Sequence, residues 1–347
     1  MSFASLAQYL LLGLHIPDGF LSVPVAALWW LLTIALLAVA VRRVGTLNEH
    51  QVPMMGVMAA FIFAAQMLNF PVLGGTSGHL LGGALVALLL GPWAGTLVMA
   101  CVVALQALLF QDGGLLALGA NIFNMGIATA FVGTWVGTAL LRMFGGKPWG
   151  LVGAGFVAAW ISVMVAALLT SLQLVLSGLS AAVVFPSMLA VHLFIGIGEG
   201  LITAAALAFV VSTRPDLVTS LTSYLSPKAV RRPVNRGALA AITGVGLAIA
   251  VVLALLSPLA SSSPDGLERV AEDQGFLERT QDAAYNLLPD YTIPGIDGPI
   301  STILAGVVGL LIVFGLAYGI ALLIRGRSAT SSADSTPRAS PGGRTGA

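Results

Sequence analysis

Apolar residues run along this chain in long unbroken blocks rather than at the spacing of an amphipathic helix or strand. Stretches free of Asp, Glu, Lys and Arg cover residues 24–41, 54–73, 79–110, 117–141, 149–176, 238–259 and 300–324, and an eighth, 184–212, is broken only by Glu199. A hydrocarbon core about 30 Å thick takes about 20 mostly apolar residues as a helix, so these blocks have the length of membrane spans. The block 79–110 is divided by Gly91 and Pro92. This predicts a short leg over 79–90, rising only about 18 Å, and then a full return. Counting both legs gives seven spans up to residue 212 and two more after it; a re-entrant hairpin in their place would leave seven in all.

The polar positions orient this pattern. Basic residues gather in four places: Arg42 and Arg43; Arg142 and Lys147; the gap from Arg214 to Arg236; and Arg325 with Arg327. The positive-inside rule assigns all four to the cytoplasm, which puts the amino terminus, His79 and Asp112 outside the cell membrane and the carboxy terminus inside. The fold class expected is all-α: a polytopic membrane helix bundle over 15–212 and a two-helix C-terminal hairpin over 238–325 with an extracytoplasmic loop. The proline- and arginine-containing gap 213–237 reads as a cytoplasmic linker, 1–14 as an N-terminal extension, and the Ser-, Thr-, Gly- and Pro-rich stretch 326–347 as a disordered tail. The hairpin's loop, 260–299, has eight acidic residues against Arg269 and Arg279, a net charge of −6. Such a loop concentrates cations, or is simply a solvated acidic loop.

Composition sharpens what is excluded. Hydrophobic residues make up 58% of the chain and charged residues 8%, against about 25% charged in soluble domains, with a mean hydropathy of +0.98. The net charge of +1 gives no electrostatic footprint for nucleic acid, and the partner it implies is the lipid bilayer. One cysteine, Cys101, allows neither an internal disulfide nor a thiolate cluster. No G-x-x-x-x-G-K-[ST] phosphate loop and no H-E-x-x-H pair occur, so the chain is read as no ATPase, no zinc protease and no enzyme by itself.

Four histidines are the candidate chemistry. His15 and His79 fall on the outer side, His50 on the cytoplasmic side, and His192 inside a span. Neutral imidazole suits nickel, cobalt, copper and zinc, whereas magnesium or calcium would need oxygen ligands; each outer histidine is otherwise an ordinary hydrogen-bonded helix-end residue. His15 lies in LHIPDGFLS and His79 in GGTSGHLLGG, where glycines permit close backbone approach or tight helix packing. His192 and Glu199 stand two helical turns apart on one face, either holding the bundle by hydrogen bonds or serving a metal path. Gln66, Asn69, Asn121 and Asn124 orient the site from behind the ligands, or cap and pack helices.

Here the sequence resembles a known family. HIPDGFLS, AAQMLNFPVLGGTSGHLLGG at 64–83, LGANIFNMG at 118–126 and HLFIGIGEGLIT at 192–203 resemble the CbiM/NikM family, the substrate-specific membrane component of energy-coupling-factor cobalt and nickel importers. SSSPDGLERVAEDQGF at 261–276, with Asp265 and Glu268, resembles the accessory CbiN/NikN component with its PDGLE motif, so the chain looks like a fusion of the two. The resemblance implies a seven-helix substrate-binding bundle and Ni2+ or Co2+ as transported substrate with no organic cofactor. It also implies a transmembrane coupling subunit and separate ATPase subunits as partners. Ala60 and Ala64 form a small-xxx-small stripe that the resemblance assigns to docking such a partner, and that internal packing explains as well.

The resemblance also implies a nitrogen donor set: the imidazole and backbone nitrogen of His15, the imidazole of His79, and a terminal amine. In the family the histidine directly follows the initiator methionine; here Leu14 stands in its place. Leu14 therefore contributes an amine only if it is the mature amino terminus. Translation starting at residue 14, removal of residues 1–13, or a different site each explains the departure. MSFASLAQYLLLG lacks the basic start of a signal peptide, which favours the late start.

Overall fold

The computed structural model describes residues 15–45, 47–218, 236–281, 283, 285 and 287–334. Leu14 and the extension before it, residues 219–235 of the expected linker and the end of the tail fall outside the described residues. The fold is helical: α1 (Val23–Arg43), α2 (Gln51–Gln66), α3 (Gly83–Leu90), α4 (Pro92–Phe110), α5 (Leu118–Met143), α6 (Pro148–Leu176), α7 (Ala181–Thr213), α8 (Arg236–Leu256), the short α9 (Gly266–Asp273) and α10 (Pro299–Asp334). Seven of these are long and apolar enough to cross a membrane; α2 and α3 are the shorter apolar helices. The chain is a polytopic all-α membrane protein.

Proline sets several starts, lying in the first turn of α1, α4 and α6, where its missing N–H would have no helical partner anyway. The apolar block 54–73 is not one helix. After Gln66 the chain leaves the helix and forms a two-stranded antiparallel hairpin, β1 (Phe70–Val72) with β2 (Thr76–Gly78), pairing Phe70 with Gly78 and Val72 with Thr76. The block 79–110 does divide at Gly91 and Pro92, but its first leg is only the eight residues of α3, all of them buried. That helix rises about 12 Å, and α4 turns back along it.

Helix α2 occupies the middle of the molecule, buried along almost its whole length. It packs on α4 and on the C-terminal hairpin, α8 and α10. Ala60 and Ala64 are completely enclosed there. The stripe expected to dock a partner is thus covered by the chain's own helices, and internal packing accounts for it. At the other end of the hairpin, α10 continues to Asp334, past residue 326 where the tail was expected to begin. Two stretches of wider π-type helix interrupt the regular ladder, Gln106–Phe110 at the end of α4 and Ile122–Ala128 within α5. Such widenings recur at functional sites; Ile122–Ala128 carries Asn124 of the cavity described next, and the Gln106 carbonyl accepts from the N–H of Asp112.

Candidate metal centre

His15 sits in a turn ahead of α1 that is held from several sides. Asp18 accepts hydrogen bonds from the N–H groups of Leu115, Leu116 and Ala117 at 3.0, 2.8 and 3.1 Å, tying the turn to the start of α5. Asn121 brackets Ile16, accepting from its N–H and donating to its carbonyl, both at 3.0 Å. Gly113, at φ +94°, lies so close that a Cβ there would stand 2.7 Å from the Cβ of His15, so only glycine fits the approach. The imidazole that results is buried, at 2% exposure.

Its Nδ1 lies 2.5 Å from Asp112 Oδ1, and the other oxygen of Asp112 accepts from the Tyr291 hydroxyl at 2.6 Å. Burial by itself would raise the Asp112 pKa. The electrostatic pull of His15 and the hydrogen bonds from His15 and Tyr291 overcome that, so the carboxyl is held below its ordinary value. The Tyr291 phenol is pushed well above its usual range by burial and by the same carboxylate.

His79 follows β2 and is held differently. Ser77, two residues before it, donates its N–H to the carbonyl of Pro264 at 2.8 Å and its hydroxyl to that of Ser263 at 2.7 Å. On the other side, Leu81 and Gly82 donate their N–H groups to the two oxygens of Glu199, at 2.6 and 2.9 Å, and Gln66 donates to the Leu81 carbonyl at 2.9 Å. The His79 ring is 6% exposed, with Nδ1 3.0 Å from the Leu80 carbonyl. The two imidazoles, far apart in the chain, come together with ring centroids 5.9 Å apart and planes inclined by 34°.

Both rings line a cavity of about 70 Å³, which exceeds the roughly 10–15 Å³ that one water needs. Its wall also includes Asn121, Asn124, His192 and Asp265. Asn124 is paired with Gln173 through two amide hydrogen bonds of 2.8 and 2.9 Å, and His192 bonds back to Met188 of its own helix at 2.8 Å. The Nε2 of His15 is buried and has no hydrogen-bond partner among the described residues. No three His, Cys, Asp or Glu side chains gather into a metal cage among the described residues. The imidazoles of His15 and His79 are what the cavity offers a transition-metal cation, with Asn121, Asn124, His192 and Asp265 around them.

Comparison with known proteins fits this arrangement. The family model described as cobalt uptake substrate-specific transmembrane region, CbiM, matches residues 15–217, and the PDGLE domain matches 240–326. The chain belongs to the CbiM family and carries a PDGLE module. A protein of Archaeoglobus fulgidus that bears the name fused nickel transport protein NikMN is 38% identical, over 91% of this chain and 100% of its own. The cobalt transport protein CbiM of Geobacter sulfurreducens is 31% identical over 77% of this chain and 76% of its own. A crystal structure of a truncated transition metal transporter is 33% identical, covers 57% of this chain and 98% of that one, and has a TM-score of 0.51.

The PDGLE module reaches the CbiM region through its loop. Asp265 caps α9, accepting from the Glu268 N–H at 2.6 Å while Glu268 accepts from the Asp265 N–H, a reciprocal capping box. Helix α9 lies against α7 and β2. A Cβ on Gly266 would stand 2.9 Å from the His192 ring. Asp265 and Glu268 are therefore buried rather than solvated; burial pushes the Asp265 carboxyl up to about 6, and burial with the charge of Asp265 pushes Glu268 up to about 8. Asn69 lies away from the cavity, its carbonyl accepting from Ser261 at 2.8 Å, so it fastens the hairpin β1–β2 to the module instead of backing the histidines. Sequence reasoning missed Asp112 and Tyr291. Asp112 was legible only as a polar break in QDGG, and Tyr291 lies 179 residues from its partner.

Proposed function

We propose that this protein is the substrate-capture subunit of an ATP-driven importer of the energy-coupling-factor type, taking Ni2+ or Co2+ at the outer face and passing it inward. Family membership supports metal transport. The reading of the site rests on one observation: His15 and His79, on separate segments, meet at one cavity with His15 Nε2 left without a hydrogen-bond partner among the described residues. Imidazole donors in a cavity without a carboxylate cage favour a late first-row cation over magnesium or calcium. The family donor set would add the His15 backbone nitrogen, and the amine of Leu14 where the mature chain begins there. A transmembrane coupling subunit and ATPase subunits supply the energy, since this chain has no phosphate loop.

Equilibrium binding of radioactive nickel to the purified protein tests the site. His15→Ala and His79→Ala each remove an imidazole and are expected to abolish retention; binding indifferent to both eliminates the proposed site. Uptake in cells tests the energy source. Loss of uptake on deletion of the ATPase partner is expected, and undiminished ATP-independent uptake would favour a solitary transporter or a membrane metal sensor.

A further inference from the structure

Far from the histidines, α7 and α8 are apolar spans joined by the most basic stretch of the chain. From Arg214 to Arg236 the sequence has Lys228, Arg231 and Arg232 as well, against Asp216 as the one acidic residue. In the fold, α7 packs chiefly on α6, and α8 on α2 and α10. A cavity of about 660 Å³ is left between α7 and α8, with α2 and α3 behind it. We infer that this seam binds an anionic phospholipid, one acyl chain lying in the cavity and the phosphate at its basic end.

The wall is apolar except at one end. From Ile202 to Val210 on α7 and from Ala241 to Ile249 on α8 the lining residues have no polar side-chain atom, and the end of α7 then supplies Thr213 and Arg214. Leu85 and Leu89 of α3 are buried at the back, whereas Phe209 and Val245 are half-exposed, so the cavity opens outward between the two spans. Apolar cavities stay dry, and an unfilled one forfeits the dispersion contacts of its lining. In a bilayer, hydrocarbon fills it.

Dimensions decide which hydrocarbon. From Ile202 to Thr213 the wall runs about 17 Å along α7, close to one leaflet of a hydrocarbon core about 30 Å thick. A second helix, about 10–12 Å across, would occupy roughly 1,300–1,900 Å³ over that length. The 660 Å³ present cannot take it. A single acyl chain is slender enough, and it ends at the membrane surface where Arg214 stands. Guanidinium groups bind phosphate oxygens in pairs, and basic pockets between spans take anionic lipid head groups. Because α7 belongs to the CbiM region and α8 to the PDGLE module, such a lipid bridges the two.

Native mass spectrometry of the full-length protein, released from mild detergent after exchange with equal phosphatidylglycerol and phosphatidylcholine, tests the seam. One retained phospholipid is expected, with phosphatidylglycerol preferred about 5-fold or more. Arg214→Gln should keep a lipid but lose the preference. Val245→Trp puts an indole into the cavity from a half-exposed position and should abolish retention, with an unchanged circular dichroism spectrum. A parent protein free of lipid, one that holds both head groups equally, or undiminished retention in a folded Val245→Trp overturns the proposal. A photo-crosslinker at residue 245 in native membranes keeps the test open where the tryptophan variant does not fold. Attachment to phospholipid is expected there; attachment to another protein instead overturns the lipid reading.

Discussion

The segments that carry His15 and His79 reach the same cavity but are held there in opposite ways. The His15 turn brings its own side-chain anchor: Asp18 gathers three backbone N–H groups, and Asn121 answers with a matched amide on Ile16. The glycine-rich stretch around His79 has few side chains to use. It is held mainly through its backbone, by the two oxygens of Glu199 on one side and by the Pro264 carbonyl of the PDGLE loop on the other, where the Ser77 hydroxyl also donates to Ser263. A segment selected for close approach gives up the means to fix itself, so its position is set by groups elsewhere. Its dependence on any one of them is correspondingly greater.

Replacing Glu199 tests this contrast most strongly. Glu199→Ala leaves the N–H groups of Leu81 and Gly82 buried without an acceptor, at about 1–3 kcal/mol each, so a loss of about 2–6 kcal/mol in detergent-solubilised unfolding is expected, with nickel retention lost alongside. A Glu199→Ala protein as stable as its parent would break the contrast. Asn121→Ala should cost less, about 1–2 kcal/mol, because Asp18 still holds the turn and the Ile16 carbonyl keeps its bond from Gly114. Equal losses in the two variants would show that the turn is no better anchored than the loop.

Glu268→Gln sharpens the comparison with the smallest effect. The carboxyl is pushed up to about 8 from an ordinary 4.5. The stability it contributes is therefore fully present below pH 4.5 and is lost as the pH rises through 8. Glutamine keeps an acceptor for the Asp265 N–H and removes the titration. The variant should match its parent near pH 5 and melt a few degrees higher at pH 9; a parent that is itself insensitive to pH across this window would argue against a buried Glu268.

Much of the architecture was legible because hydropathy is a local signal. The apolar blocks mark the helices, and Gly91–Pro92 marks the break between α3 and α4. The approach of His15 to His79 followed only from the resemblance, since no spacing within either segment requires it. The contacts of Asp112 and Tyr291 were not legible: each is set by a partner 97 or 179 residues away. Ala60 and Ala64 stood open to two readings. A stripe of small residues says that something packs closely, and here that something is the chain's own interior. The acidic loop was read as one region, yet Asp265 and Glu268 are buried by a capping box and helix docking, while Asp273 remains about half exposed in an ion pair with Arg269.

The short helix α3 bears on how the protein is made. Eight residues are far fewer than the roughly 20 that a bilayer-spanning segment requires, and every one of them is enclosed by protein. The insertion machinery, which sorts segments by their partition into lipid, has nothing of sufficient length to recognise there. Its place is therefore a product of tertiary folding, reached once α4, α5 and α6 stand around it. Polar substitutions in α3 should leave the membrane topology unchanged and act on the assembled bundle alone.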